Sequence, residues 1–388
     1  KLAAALAERE AWWKPVAAQR EKEREAAIAA ARLAVATRTA EIAAQVAEAG
    51  RKREDKIAAE SRSLATYEAN LAAQFTAWEA ALDATRRGTT WQLLEIKSAT
   101  ANNQVKLARL DDGSYLASGP SANNVAYTVT AESKLEKITG FLLEVLPHET
   151  LPAYGPGRVG GNFVLTEISL RWGDKAGRRN QADAKLADAR ADYSQNNFDV
   201  KTAINGKAEG GQDGWAVSNR FGEPHYARFA LGEPIGAAAG ATLTFLLQHQ
   251  FRDGFQIGRF RLWVTTSSAP LELGLPEDVL AAINVPATER SPAQRATLDA
   301  YQRATDVGLH KKAQALAKAK LPVPEDAQLK KLKAALADAE LPVPLDPKLA
   351  QLRADAALSE RQSAAHRLTG AQDLAWALIN SPAFLFNR

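Results

Sequence analysis

Cysteine and methionine are both absent from the 388 residues of the chain. Without thiols the chain forms no disulfide, thiolate zinc site, iron–sulfur cluster or covalent haem attachment of its own, although this absence leaves the cellular compartment open. Because the first residue is Lys1 and not methionine, we expect an upstream region in a longer precursor, with any signal peptide in that region. No apolar run approaches the roughly 20 residues of a membrane helix, so no membrane span is expected.

The chain also lacks a large excess of one charge. Its 49 Lys and Arg residues oppose 45 Asp and Glu residues, a formal net charge of +4. Such a small excess does not create a surface that neutralises many phosphates, so nucleic acid is not an expected partner. The hydrophobic share of 46% and the charged share of 24% are ordinary for a globular protein, and the length predicts two or three structural units.

Motifs of catalysis and metal binding are scarce. Residues 155–160 read G-x-G-x-x-G, but they lead into a predicted strand, whereas the dinucleotide-binding motif opens a helix. The five histidines show no metal-ligand spacing, and neither a nucleophile elbow nor a Walker loop is present. The paired carboxylates of a glycosidase are a spatial arrangement that the sequence does not nominate. We therefore expect a protein that is not an enzyme.

The first 88 residues are predicted to be helical, because Ala, Glu, Arg and Lys dominate them. Pro15 and Gly50 are the strong breaks, which predicts a short first helix and then two long helices, folded back as a coiled-coil hairpin at the turn 49–51. Such a hairpin is either a structural spacer or an arm that binds a partner. The apolar seam of its second helix has heptad spacing and consists of Ile57, Leu64, Leu71 and Trp78.

Residues 89–273 are predicted to form an antiparallel β-sandwich of jelly-roll type. Apolar residues alternate at period two in several short runs, with Gly, Pro and Asp between the runs. In the run that contains Tyr226 and Arg228, for example, the alternate positions Ala227 and Phe229 form a second, apolar face. Because alternate side chains of a strand point to opposite faces, this pattern is typical of a sheet with one side in a core.

Residues 274–388 return to a helical pattern. Leu-Pro-Val-Pro occurs at 321–324 and again at 341–344, and each copy leads into a leucine-patterned helix, so the segment contains a local duplication. We predict that this C-terminal helical segment packs back on the N-terminal hairpin. The apolar side chains expected to meet are Trp12, Trp13, Phe75 and Trp78 with Leu374, Trp376, Leu378, Ile379, Phe384, Leu385 and Phe386. The predicted fold is α+β, with the sandwich inserted between two helical segments.

The loop from Ala203 to Trp215 combines glycines, short polar residues and one large aromatic ring, which is typical of a loop that holds a ligand or an ion. Trp215 either stacks on a sugar or fills the end of the sandwich core. We predict Trp215, Asn205, Asp213 and His225 as candidate ligand-binding residues.

Three stretches of the chain resemble a known protein family. They are residues 151–158 leading to 161–167, residues 203–206 with 214–217, and the ending 372–388. Together they are similar to the carboxyl-terminal portion of large secreted planctomycete proteins, which pair a cytochrome c-type domain with two domains of unknown function. The resemblance implies an extracytoplasmic location, at the cell surface or in the periplasm. The haem-binding Cys-x-x-Cys-His of that family is absent, so no electron-transfer role follows.

At the level of the fold, the middle of the chain resembles discoidin and galactose-binding jelly rolls. In that group an Ala-Ile-Asp-Gly motif followed by Trp forms a calcium-supporting loop, and a Leu-x-Glu-Ile strand adds a carboxylate. Here Asn205 stands at the Asp position, Trp215 matches the aromatic residue and Glu167 lies in the matching strand. The resemblance implies calcium held by Glu167, Asn205 and Asp213. The alternative is an ordinary turn in which Asn205 adopts a left-handed conformation.

These observations lead to three functional hypotheses. The first is a non-catalytic, extracytoplasmic module that binds glycan or another cell-surface ligand as part of a larger secreted protein. The second is a structural component of a multi-subunit surface assembly, which the family resemblance associates with a cytochrome. The third is a polysaccharide-processing enzyme. The expected partners are a glycan or surface component and the upstream region or other subunits, and calcium is the only cofactor considered.

Overall fold

A computed structural model describes residues 1–81, 88–174, 181–208, 213–252 and 254–381. Its element order is helical, then β, then helical, which confirms the α+β class and the antiparallel sandwich in the middle of the chain. The described helices are α1 Leu2–Leu71, α2 Phe75–Ala81, α3 Glu277–Ile283, α4 Pro292–Thr305, α5 Val307–Ala319, α6 Ala327–Glu340, α7 Pro347–Ala364 and α8 His366–Ile379. None of them is long and apolar enough to cross a membrane.

The sandwich is built from thirteen described strands. They are β1 Thr90–Leu93, β2 Ile96–Ala101, β3 Lys106–Arg109, β4 Tyr115–Ser118, β5 Val125–Ser133, β6 Ile138–Val145, β7 Glu167–Asp174, β8 Ala182–Ala184, β9 Leu186–Ala191, β10 His225–Ile235, β11 Ala241–His249, β12 Arg259–Thr265 and β13 Leu275–Pro276. The larger sheet has the order β13-β1-β12-β6-β10-β9, with β4 also paired to β12 and β3 to β4. The smaller sheet has the order β2-β5-β11-β7-β8.

Period-two alternation decides which side chains enter the core between the sheets. Phe141 of β6 and Phe229 of β10 point inward from the larger sheet and stack with ring centroids 4.8 Å apart. Phe245 of β11 meets Phe141 edge to face at 5.1 Å from the smaller sheet. All three rings are fully buried, and each such side chain contributes roughly 1.5–3 kcal/mol to stability. The residues between them, such as Glu144 and Tyr226, belong to the outer face of the larger sheet.

The chain divides into two compact units. One consists of Lys1–Arg51 and Val323–Arg388, and the other of Lys52–Pro322. The second unit contains the whole sandwich together with α2, α3, α4 and α5.

The predicted N-terminal hairpin is wrong, because α1 is a single helix from Leu2 to Leu71. Pro15 lies inside this helix, and no turn interrupts it at residues 49–51. A glycine inside a helix costs only about 1 kcal/mol relative to alanine, and the flanking helix-forming residues outweigh that cost at Gly50. The seam predicted to face a second N-terminal helix is therefore free to meet the C-terminal helices of its own unit.

In the first unit, α1 binds the N-termini of α6 and α7 in the same way. Asp326 accepts a hydrogen bond from Leu329 N, and its two oxygens accept from Arg38 at 3.0 and 2.9 Å. Asp346 caps α7 likewise and pairs with Arg9 at 2.8 and 2.6 Å. The two aspartates are 20 residues apart and follow the two Leu-Pro-Val-Pro copies. Each copy of the duplicated sequence thus supplies an aspartate that caps a helix and binds an arginine of α1.

The second unit contains a related arrangement. Asp306 caps α5 through Leu309 N and accepts a hydrogen bond from the Tyr67 hydroxyl at 3.0 Å. Residues 9, 38 and 67 of α1 are 29 apart, and 29 residues make about eight helical turns, so they share one helix face. The buried apolar residues of α1 repeat with the same spacing and are Trp13, Ile42 and Leu71.

The prediction that the C-terminal apolar helix packs on the N-terminal segment is wrong for α8. Leu374 is 62% exposed and Trp376 is 70% exposed, and Leu378 and Ile379 are also more than half exposed. The buried leucines of the C-terminal segment belong instead to α6 and α7, such as Leu329 and Leu349, which follow the aspartate caps. The other residues predicted for this contact, Phe384, Leu385 and Phe386, lie outside the described residues.

Candidate functional site

Trp215, predicted as a stacking platform, lies in the sandwich core. Its side chain is fully buried, its Nε1 donates to the Tyr193 carbonyl oxygen at 2.9 Å, and its ring meets Phe163 edge to face at 5.1 Å. A ring enclosed on all sides presents no face to a sugar. This corrects the ligand-binding prediction for Trp215 in favour of the alternative, in which the ring fills the end of the core.

His225 is also enclosed, which corrects its prediction as a ligand residue. Nδ1 lies 2.9 Å from Asp192 Oδ2, and Nε2 lies 2.7 Å from the Arg220 carbonyl oxygen. Both ring nitrogens are therefore engaged with neighbouring groups, and the contact with Asp192 fixes the orientation of that side chain.

The residues predicted to hold calcium partly come together. Glu167 Oε2 accepts a hydrogen bond from Gly206 N at 3.2 Å, and Asn205 Oδ1 accepts one from Lys207 N at 2.8 Å. The positive φ of the turn is at Gly206, whereas Asn205 is in the right-handed helical region, so the predicted left-handed Asn205 is wrong. Asp213 is half-buried beside residues 209–212, which are outside the described part.

Backbone amides thus occupy the oxygens of this loop. Burial raises the pKa of Glu167 to about 7, and the amides of Gly206 and Lys207 oppose that shift. Within the described ranges, no group of three or more His, Asp or Glu side chains is placed to hold a metal ion. Calcium at Glu167, Asn205 and Asp213 stays a prediction.

A cavity of about 540 Å³ lies elsewhere in the same unit, between the outer face of the larger sheet and the helices α3 and α4. Three groups of residues form its walls. The sheet contributes Trp91, Leu142, Glu144, Tyr226, Arg261 and Trp263; the loops contribute Asp192, Arg220 and Glu223; the helices contribute Asp278, Val279, Thr297 and Tyr301. Its size is within the range of small-molecule sites, roughly 300–1,000 Å³. We call this space the sheet–helix cavity.

Strand periodicity places these polar and aromatic groups outside the core. Glu144 of β6 follows the core residue Leu143, and Trp263 of β12 follows the core residue Leu262. Register completes the arrangement, because Glu144 is directly opposite both Tyr226 of β10 and Arg261 of β12.

Glu144 is the centre of a buried polar cluster in the wall of the cavity. It is 3% exposed and binds Arg261 through two bonds, Nε to Oε2 at 2.7 Å and Nη2 to Oε1 at 2.9 Å. Trp263 Nε1 donates to the same Oε2 at 3.0 Å. The Arg261 guanidinium also lies 5.4 Å from the centroid of the Trp263 ring. The indole ring and the charge pair are therefore held in one fixed orientation.

Tyr226 is the polar group that this cluster leaves without a partner. Its hydroxyl oxygen is buried and makes no hydrogen bond to any residue that the structure describes. Burial raises the pKa of Tyr226 well above 10, and the nearby Glu144 and Asp192 raise it further, so the phenol stays protonated. A buried hydroxyl without a partner costs about 1–3 kcal/mol, which a bound ligand or water would recover.

The loop wall of the cavity is held by a second set of charges. Asp192 Oδ1 accepts a hydrogen bond from Tyr226 N at 2.8 Å, while its Oδ2 faces His225. Arg220 and Glu223 form an ion pair next to it. Strand β10 connects the two clusters through its first two residues. His225 contacts Asp192, and Tyr226 is directly opposite Glu144.

A second cavity, of about 550 Å³, lies between α5, the end of α1 and the loop after β6. His310 lines it, and burial lowers the pKa of this residue. Its Nε2 bonds the Ala304 carbonyl oxygen at 2.9 Å, whereas its buried Nδ1 has no partner among the described residues.

Sequence reasoning missed the sheet–helix cavity, although part of its signal was present. The alternation that places Phe229 and Phe260 in the core puts Tyr226 and Arg261 together on the opposite face. Polar and aromatic residues on the outer face of adjacent strands are ordinary for a solvated sheet. Only the helices that cover this face turn it into a cavity.

Comparison with known proteins gave little that bears on identity. No family model and no curated protein matched the chain, so the resemblance to secreted planctomycete proteins stays a prediction. One solved structure with a detectable likeness comes from work on the promiscuous specificity of carbohydrate-binding modules of the β-sandwich superfamily. The TM-score is 0.18 at 9% identity, over 47% of this chain and 62% of that one. The chain thus spans less than two thirds of that protein.

Proposed function

We propose that the protein is a non-catalytic, extracytoplasmic binding module and that its sheet–helix cavity holds a saccharide unit of a glycan. The observation that carries the proposal is the buried hydroxyl of Tyr226, a residue in the wall of the cavity, which lacks a hydrogen-bond partner among the described residues. A ligand that supplies this partner would recover the cost of burying it.

The groups around Tyr226 favour a ligand rich in hydroxyl groups. The phenol is a donor that needs an acceptor, while the neighbouring Glu144 and Asp192 are acceptors. A sugar hydroxyl both accepts and donates, so adjacent hydroxyls of one ring match both kinds of group. Trp263 supplies an aromatic surface of the kind that packs on the C–H face of a sugar.

The same contacts favour binding over hydrolysis. A glycosidase needs one carboxyl group that stays protonated as general acid and a second carboxylate across the bond. Glu144 is bound by the guanidinium of Arg261, and Asp192 is bound by the imidazole of His225, so both side chains are engaged within the wall of the cavity. Release of sugars from a polysaccharide by the chain would contradict this part of the proposal.

The proposal is tested by glycan-array screening of the full chain, followed by titration calorimetry with the glycans that bind. We expect Tyr226→Phe, which removes one oxygen atom, to weaken binding about five- to tenfold. We expect Trp263→Ala to weaken it at least about tenfold, since it removes an aromatic surface. The matched control is Trp376→Ala, because Trp376 is exposed on α8 and outside the cavity.

Failure to bind any glycan would contradict the proposal, and so would equal affinities of wild type, Tyr226→Phe and Trp263→Ala. Circular dichroism and thermal unfolding of each variant show whether it is folded. Tyr226→Phe keeps the ring and therefore the packing, so it remains informative if Trp263→Ala does not fold.

A structural component of a larger surface assembly is the second candidate function. Its support is the repeated docking of aspartate-capped helices on α1, at Arg9 and Asp346 and again at Arg38 and Asp326. Ion pairs that hold other helices against one long helix at regular intervals are expected in a structural spacer rather than in a ligand-binding site. This function predicts that α1 variants alter assembly while glycan binding is absent.

A further inference from the structure

Carboxylates outnumber guanidinium groups in the walls of the sheet–helix cavity. The carboxylates are Glu144, Asp192, Glu223 and Asp278, and the guanidinium groups are Arg220 and Arg261. The four carboxylates and two guanidinium groups leave the balance of formal charge negative by two. A cleft lined by an excess of one charge attracts ligands of the opposite charge.

Two of these carboxylates lie beside Tyr226. Glu144 is directly opposite Tyr226 in the pairing of β6 with β10, and Asp192 Oδ1 accepts a hydrogen bond from Tyr226 N at 2.8 Å. Burial is the largest cause of the raised pKa of Tyr226, and the charges of Glu144 and Asp192 act in the same direction.

Two carboxylates beside Tyr226 have unused acceptor capacity. Glu144 receives two bonds from Arg261 and one from Trp263, and a carboxylate has about four acceptor positions. Asp192 receives two bonds, one of them from the Tyr226 amide. An ammonium group has three donors and no acceptor, which is the complement of such a set.

We propose that the saccharide bound in the sheet–helix cavity carries a protonated amino group, held by the carboxylates of Glu144 and Asp192. This inference rests on the proposed function and narrows its ligand to amino sugars. The aromatic rings of Trp263 and Tyr301 in the same walls also favour a cation, because a positive charge is attracted to the face of an aromatic ring.

Sugars of other charge fit these walls less well. A carboxylated or sulfated sugar would bring a further negative charge into a cavity whose walls already carry an excess of carboxylates, and like charges repel. A neutral sugar would form hydrogen bonds with the same acceptors but would leave the negative potential uncompensated. The amino group is thus the feature that distinguishes the expected ligand.

The test compares three ligands that differ only in the substituent at carbon 2 of each ring. They are the β-1,4-linked trimers of glucosamine, N-acetylglucosamine and glucose, titrated calorimetrically into the full chain at pH 6 and low salt. We expect the glucosamine trimer to bind at least about tenfold more tightly than the other two. Its affinity also falls as salt is added, because added ions screen charge interactions.

Two outcomes separate this inference from the proposed function. Equal affinities for the glucosamine and glucose trimers would refute the amino-sugar inference and leave saccharide binding in place. Binding of none of the three, together with a blank glycan array, would refute both.

A matched pair of variants tests whether the charge of the cavity is the cause. Asp278 and Glu277 both lie exposed in the first turn of α3, but only Asp278 lines the cavity. We expect Asp278→Asn to weaken the glucosamine trimer roughly two- to fivefold, with the glucose trimer unchanged. Glu277→Gln removes the same charge from the same turn and leaves both affinities unchanged. An equal effect of the two variants would contradict a contact within the cavity.

Discussion

Glu167 makes the stability of this protein depend on pH near neutrality. It begins β7, is 8% exposed, and its Oε2 accepts a hydrogen bond from Gly206 N at 3.2 Å. Burial raises its pKa from the ordinary 4.5 to about 7, with the amides of Gly206 and Lys207 acting in the opposite direction. In the unfolded chain the same carboxyl group has its ordinary pKa, so the two states bind different numbers of protons.

The sign of the effect follows from that difference. Between pH 4.5 and about 7 the folded protein holds more protons at Glu167 than the unfolded chain, so the free energy of unfolding falls as the pH rises. The stabilisation is fully present below pH 4.5 and is lost as the pH rises through 7. At 1.36 kcal/mol per pKa unit the shift corresponds to roughly 3 kcal/mol. Because water reaches part of the carboxyl group, we expect about 1–2 kcal/mol.

The variant that isolates this effect is Glu167→Gln. The amide keeps the size of the side chain and an oxygen that accepts from Gly206 N, but it does not titrate. Urea unfolding of both proteins at pH 5, 6, 7 and 8 measures the difference. We expect wild type to lose about 1–2 kcal/mol relative to the variant between pH 5 and 8.

The matched control is Glu95→Gln. Glu95 is exposed, and its hydrogen bond with Lys97 lowers its pKa, so it stays ionised over the whole range. Its replacement changes no slope between pH 5 and 8. If wild type and Glu167→Gln showed the same dependence of stability on pH in this range, the assignment of a raised pKa to Glu167 would be refuted.

Two further predictions concern the helices that dock on α1. Gly308→Ala would place a Cβ atom 2.1 Å from the Tyr67 hydroxyl oxygen, so we expect thermal unfolding to show a loss of about 1–3 kcal/mol in the free energy of unfolding. The loss is expected to be smaller in a Tyr67→Phe background, which lacks that oxygen. Equal losses in both backgrounds would contradict the contact. Leu349 of α7 is fully buried, so we expect Leu349→Ala to lower the free energy of unfolding by about 2–5 kcal/mol. Leu358 is exposed on the same helix, and we expect Leu358→Ala to lower it by less than about 0.5 kcal/mol. Similar values for the two variants would show that α7 is not docked.

Local patterns predicted the sandwich because the physics of a strand is local. The alternation that separates Tyr226 from Phe229 requires only that successive side chains point to opposite faces, and the structure has both residues on the expected sides. The helical character of α1 and of the C-terminal segment likewise follows from composition. Asp326 and Asp346 were recognisable as helix starts, because short polar side chains cap helices after a proline-rich turn.

The partners of these elements were decided by the tertiary structure. The cost of Gly50 is offset locally by the flanking helix-forming residues, whereas the contacts of α1 with Asp326 and Asp346 depend on residues far away in sequence. The 29-residue spacing of Arg9, Arg38 and Tyr67 was present in the sequence. Its structural role depends on three aspartate caps that are 20 residues apart. Asp346, Asp326 and Asp306 contact Arg9, Arg38 and Tyr67 respectively.

The two tryptophans considered for ligand binding also show the difference between what local sequence predicts and what the tertiary structure decides. Trp215 lies in a glycine-rich loop and Trp263 in a strand, and by residue type either could contact a sugar. The fold encloses Trp215 among core side chains and leaves Trp263 in the wall of a cavity. Composition and periodicity determined the kinds of element in this protein, because they act over a few residues. Burial, charge balance and the unpartnered hydroxyl of Tyr226 were decided only when distant strands and helices came together, because these properties belong to the space between elements.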